Sequence, residues 1–192
     1  YGGTTVDVLP SPLSASDIAL QVMPSELRIR SLVRALAAGT IAEARAVQAW
    51  VGVPEPTSFF PASPSADPWA ALVYGLLTVK FPEVFPKLTD EWTEELVVHV
   101  GWAFDAHIIR ANHILTSASE EPEGQVAAAV SAARHLAKAQ VAGAPYYSYT
   151  NEVFGEIIGG LFEPEGVENP MLPQDTRELV ARILTRWNRE FP

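Results

Sequence analysis

The chain has no cysteine. Thiolate catalysis, disulfide bonds and cysteine-based zinc sites are thereby excluded. It also lacks an apolar run of the roughly 20 residues that a membrane-spanning helix needs. Nor is there a cluster of Lys and Arg. With 13 basic against 23 acidic residues, the net charge of -10 argues against nucleic acid and against an anionic membrane surface as partners. The first twenty residues show neither a basic start nor a continuous apolar core, so no signal peptide is read there. Absence of cysteine fits a reducing compartment, and the expected location is cytoplasmic. The chain begins Tyr1-Gly2-Gly3 without an initiator Met, which reads as a piece of a longer polypeptide or a processed product.

What the sequence has is punctuation. Sixteen prolines and twelve glycines fall mostly at the ends of amphipathic segments. Residues 1–24 alternate apolar and polar positions (Val6, Val8; Ile18, Leu20, Val22) and predict an extended or β-like arm, the end of an upstream domain. From residue 25 to 192 the pattern turns helical. Ser25, Thr40 with Glu43, Asp67 before Pro68, Thr89, Asp105, Thr150, and Asp175 with Glu178 each read as helix starts. Gly39 reads as a left-handed C-cap, and Gly143 with Pro145 as a stop. Residues 53–66 form a Pro-rich linker containing Phe59 and Phe60. The long Ala-rich helix is predicted to pack through Val126, Val130, Ala133, Leu136, Ala137 and Val141. Short connections force neighbouring helices to pack antiparallel. The expected fold is therefore all-α: antiparallel hairpins stacked as a short right-handed, repeat-like αα solenoid behind the N-terminal arm.

Chemistry is sparse by comparison. No nucleophile elbow, P-loop, dinucleotide fingerprint or His-Glu-x-x-His motif occurs. The densest polar stretch runs from Glu94 to His113. Glu95 and His99 share one helical face, and Asp105 and His107 lie on the next helix. If His99 and His107 approached across the turn, these four residues would suit zinc or iron. A small metal-dependent helical hydrolase is thus the alternative function. A third reading, an apolar ligand cavity, would be lined by Leu76, Val97, Ile108 and Phe154. Ser131 and His135 are an i, i+4 pair without an orienting carboxylate. The better interaction signals are aromatic: Trp50, Trp69 and Trp102, and the run Tyr146, Tyr147, Tyr149 in a connection. The final helix carries a basic face that includes Arg182 and Arg186, suited to an acidic partner.

Three stretches, DPWAALVYGLL (67–77), DEWTEELVVHVGWAFDAHIIRAN (90–112) and PYYSYTNEVFGEIIGGL (145–161), carry a resemblance. They resemble the tetratricopeptide-like helical region found downstream of caspase-like peptidase modules in multidomain bacterial proteins. Trp92, Trp102, Asp105, Ile109 and Arg110 echo its pattern. The prolines that flank the tryptophan in that family are absent, and His107 stands where a small residue is usual. The resemblance brings no catalytic motif and no cofactor. It implies a non-catalytic scaffold or protein-interaction domain that positions a protein partner, or another domain of the same polypeptide.

Overall fold

The computed structural model describes residues 4–10, 18–24, 27–51, 64–85, 87–161 and 171–190. Strands β1 (Thr4–Pro10) and β2 (Ile18–Pro24) pair antiparallel, with Val6 opposite Val22 and Val8 opposite Leu20. The alternating arm is thus a hairpin, and it touches the first helix. Every described element after it is a helix. Among the described residues there are eight helices: α1 (Leu27–Ala38), α2 (Ile41–Val51), α3 (Pro68–Lys80), α4 (Asp90–Val100), α5 (Phe104–Thr116), α6 (Pro122–Ala142), α7 (Ser148–Leu161) and α8 (Gln174–Glu190). The Ser25 cap, Phe59, Phe60 and the side chain of Trp50 lie outside the described residues.

Local chemistry sets most of these boundaries. Asp67 accepts the Ala70 N–H at 3.0 Å with Pro68 in the first turn, and Thr89 accepts that of Trp92 at 3.2 Å. Thr40 takes the Glu43 N–H, while Glu43 accepts the Thr40 hydroxyl at 2.7 Å. Gly39 adopts φ +82° and returns its N–H to the Ala35 carbonyl, ending α1 as expected. Three starts differ from the expectation. α5 begins at Phe104, so Asp105 lies in its first turn and does not cap it. α8 begins at Gln174, and Asp175 caps only the adjacent Thr176 N–H rather than forming a box with Glu178. α7 begins at Ser148, so Thr150 lies inside the helix and is no cap.

Helices α1, α3, α5 and α7 form successive contacts, each with the helix two places along, and α6 meets α8 in the same way. That is the repeat-like hairpin stack. Two apolar clusters fill it. The first is built from α1, α3 and α4 with Ala103, Ala106 and Ile109; the second from α6, α7 and α8 with Phe104, Ile108 and Ala111. α5 contributes to both and is buried all round from Phe104 to Ala111. Leu76, Ile108 and Phe154 are fully buried and divided between the two clusters, so they line no common ligand cavity. The buried stripe of α6 is Ala128, Ala132, Ala133, Leu136 and Ala139, and Val141 instead projects into solvent. Small side chains allow α5 and α6 their close pairing.

Candidate interaction site

The site begins in the α4–α5 turn. Its residue Trp102 is 47% exposed, large for an indole on a helical stack. Trp69, in the first turn of α3, meets it edge-on with ring centroids 5.4 Å apart. Tyr146, from the α6–α7 connection, completes the group. Its ring is 4.9 Å from Trp69 at 90° and 5.9 Å from Trp102 at 77°. Three chain segments thus converge on a corner of mutually edge-on aromatic rings. Beside it runs a shallow groove of about 530 Å³, lined by Gly101, Trp102, His107, Ala137, Lys138, Val141 and Ala142. Val141 is exposed there, as is Val98 four residues before Trp102 on α4.

Asp105 fixes this corner from below. The carboxylate is wholly buried and accepts three hydrogen bonds: from the Tyr146 N–H at 2.9 Å, the Tyr147 N–H at 3.3 Å and the Thr150 hydroxyl. Its role is to cap the start of α7 from a different helix. It does not cap its own: α5 starts at Phe104, and the Ala103 N-cap makes no side-chain bond. Burial pushes the Asp105 carboxyl above the usual carboxylate range, against the pull of these donors. The effect is to hold the backbone that presents Tyr146 outward and Tyr147 inward. Tyr147 is 7% exposed and belongs to the first core, and burial raises its hydroxyl pKa. Tyr149 is half-buried with the Lys80 ammonium 4.5 Å above its ring. Of the three tyrosines, only Tyr146 is exposed.

Arg110 performs the matching task at the other side of α5. It is buried, and it donates to the Asp90 carboxylate, to the Thr93 hydroxyl at 2.7 Å and to Glu94 at 3.2 Å. These contacts pin the N-terminal turns of α4. The Asp90 carboxyl is held below its usual range chiefly by Arg110.

The proposed metal set does not assemble. Glu95 and His99 are exposed on α4, and Asp105 is buried in the α7 cap. His107 pairs with His135 rather than His99: their Nδ1 atoms are 3.3 Å apart, and His107 Nε2 lies 3.1 Å from the Gly101 carbonyl. The carbonyl can only accept, so the His107 proton sits on Nε2 and its Nδ1 accepts from His135. With centroids 5.5 Å apart, the two rings point nearly head-on, the geometry of a hydrogen bond. Burial lowers the pKa of both, that of His135 to about 4. Among the described residues no group of three or more His, Asp or Glu could hold a metal.

One hydrolase-like row does occur, unforeseen despite its i, i+4 spacing. Ser117 Oγ is 3.5 Å from His113 Nδ1, and His113 Nε2 is 3.6 Å from Asp90. Both contacts are long, and Asp90 is already engaged by Arg110. The serine also caps the C-terminus of α5, where carbonyl groups rather than N–H donors gather. This is poor ground for an oxyanion.

Arg182 and Arg186 are exposed on α8. A model of the Y4kD C-terminal domain family matches residues 31–157. The chain belongs to that family. The Y4kD C-terminal domain match takes in Trp69, Trp102, Asp105 and Tyr146 but leaves α8 outside it. Comparison with curated proteins and with solved structures gave no match. No described helix of this Y4kD C-terminal domain is long and apolar enough to cross a membrane.

Proposed function

We propose that this domain is a non-catalytic helical interaction module that docks a protein partner on the corner formed by Trp69, Trp102 and Tyr146. One observation carries the reading: rings of three segments meet at the surface, and a buried carboxylate fixes the segment that delivers one of them. Exposed aromatic groups of this kind are over-represented in binding interfaces and rare on inert surfaces. The groove with Val141 extends the apolar area beside them. The buried Asp105 and Arg110 are engaged in an inter-helix cap and ion pairs. The resemblance to tetratricopeptide-like regions beside caspase-like peptidase modules supports a scaffold role within a larger bacterial polypeptide, in the cytoplasm. The partner is a separate protein or another domain of that polypeptide.

The test is affinity capture with the wild-type domain and with Trp102→Ala and Tyr146→Ala. Each captured protein is then purified and its binding remeasured. A partner that binds the wild type and is weakened about tenfold or more by either variant, at unchanged melting temperature, supports the reading. Binding that neither substitution alters would place the functional surface elsewhere.

A further inference from the structure

The docking reading leaves the chemistry of the occupant open, and the charges around the corner narrow it. We infer that the occupant is a cationic side chain, Lys or Arg, projecting from an exposed basic segment of the partner. The inference rests on the aromatic corner being the docking site. Each aromatic face carries negative electrostatic potential, and rings set edge-on to one another present faces in different directions around a single corner. The interplanar angles of 69°, 77° and 90° describe such an arrangement.

Carboxylates occur on the segments that build it. Asp67 precedes Trp69 by two residues, and Asp105 lies directly beneath the Tyr146 backbone. Along the exposed face of α4, Glu91, Glu95 and Val98 follow one another at helical spacing toward Trp102. Arg110 engages Asp90 and Glu94, whereas Glu91 and Glu95 form no ion pair among the described residues. The opposing charge lining the groove is Lys138, next to Ala137 and Val141. A chain of net charge -10 adds long-range attraction of the same sign. An acidic occupant would meet repulsion from the carboxylates that reach the surface, Asp67, Glu91 and Glu95. The fold already uses the same contact where the Lys80 ammonium sits over Tyr149 and Phe81.

The experiment is an NMR titration of the domain, followed at the Trp69 and Trp102 indole N–H and the Tyr146 amide. Three capped peptides serve as probes: Gly-Gly-Arg-Gly-Gly, its citrulline analogue, which has the same shape without charge, and tetraproline. The expected result is saturable shifts with the Arg peptide, about tenfold weaker with citrulline. Trp102→Ala should abolish them. Raising salt from about 50 mM to about 500 mM should weaken them, less steeply in Glu91→Gln/Glu95→Gln. Equal binding of the citrulline peptide, or binding of tetraproline alone, overturns the cation while docking stands. Concentration-dependent broadening of the same signals without peptide overturns it in favour of a second copy. No shift with any probe also overturns it. The docking reading itself falls only if partner capture is indifferent to both Trp102→Ala and Tyr146→Ala.

Discussion

A single carboxylate, Asp105, decides where the α6–α7 connection lies. Replacing it with Ala leaves two backbone N–H groups and the Thr150 hydroxyl without their acceptor in a dry site. Each such orphan costs about 1–3 kcal/mol, about 3–9 for the three; removing a carboxylate that is itself costly to bury offsets part of this, so Asp105→Ala should lose about 2–5 kcal/mol in urea unfolding. Asp105→Asn keeps one oxygen but turns an amide N–H2 toward a donor, and should fall between. A loss below about 1 kcal/mol would mean that the clamp is not structural. This role was not legible in the sequence. Asp105 sits where a first-turn acid belongs, and its partners lie 41, 42 and 45 residues away. The His107–His135 pair was hidden for the same reason. It gives the domain an acid sensitivity with a definite sign. The folded pKa of His135, about 4, lies below the ordinary value of about 6.5, so the unfolded chain binds more protons between those limits. Its contribution is present above pH 6.5 and is lost as pH falls toward 4. Discounted for the ring's partial exposure, the loss is about 1–2 kcal/mol. Asp105, whose carboxyl is raised, acts in the opposite direction. The informative quantity is therefore the difference between wild type and His135→Gln across pH 7 to 4.5. The variant should flatten the fall, and parallel curves would refute the assignment.

At the level of elements, the caps that can be read in a window of four residues are the ones that hold: Asp67, Thr89, Thr40 and Gly39. Their partners are local, so spacing alone identifies them. Packing faces are read less well, because helical period does not say where a neighbour ends. Val141 continues the apolar rhythm of α6 but stands beyond its neighbours, and alanines do the packing instead. Gly75 on α3 shows what such closeness requires. A Cβ there would lie 2.8 Å from Ile109 Cδ1 and 3.1 Å from Ile109 Cγ2 on α5. Overpacking of this kind costs about 1–3 kcal/mol, partly offset by the gain of about 1 kcal/mol from replacing a helical Gly. Gly75→Ala should therefore be neutral to about 2 kcal/mol destabilising in the wild type. With Ile109→Ala beneath it the clash is gone, and the same change should stabilise by up to about 1 kcal/mol. The reversal of sign, measured in a double-mutant cycle, tests the contact independently of either single value. Equal effects in both backgrounds would show that α3 and α5 do not meet at this point.

For the whole molecule, the question is whether two apolar clusters make one cooperative unit. The order of the described helices followed from punctuation, but not the central position of α5, whose amphipathic look conceals burial on every side from Phe104 to Ala111. Ala106 and Ile109 face the first cluster while Phe104 and Ile108 face the second, so α5 cannot leave one without exposing the other. Coupling through a shared helix predicts a single transition. Trp187 packs against Phe104 and Phe154 in the second cluster, whereas Trp69 and Trp92 pack against the first. In a Trp50→Phe/Trp187→Phe background, tryptophan emission therefore loses its reporter in the second cluster and follows only Trp69, Trp92 and Trp102 on the first side. Ile108→Ala then removes a fully buried side chain from the second cluster alone, at a cost of about 2–5 kcal/mol. If the clusters unfold together, the emission midpoint in urea moves down by the same amount as the midpoint from far-ultraviolet circular dichroism. If they are separable, emission holds its midpoint while the dichroism transition splits. Coincidence of the two curves would establish that the aromatic corner is carried by the stability of the entire stack, including helices that never touch it.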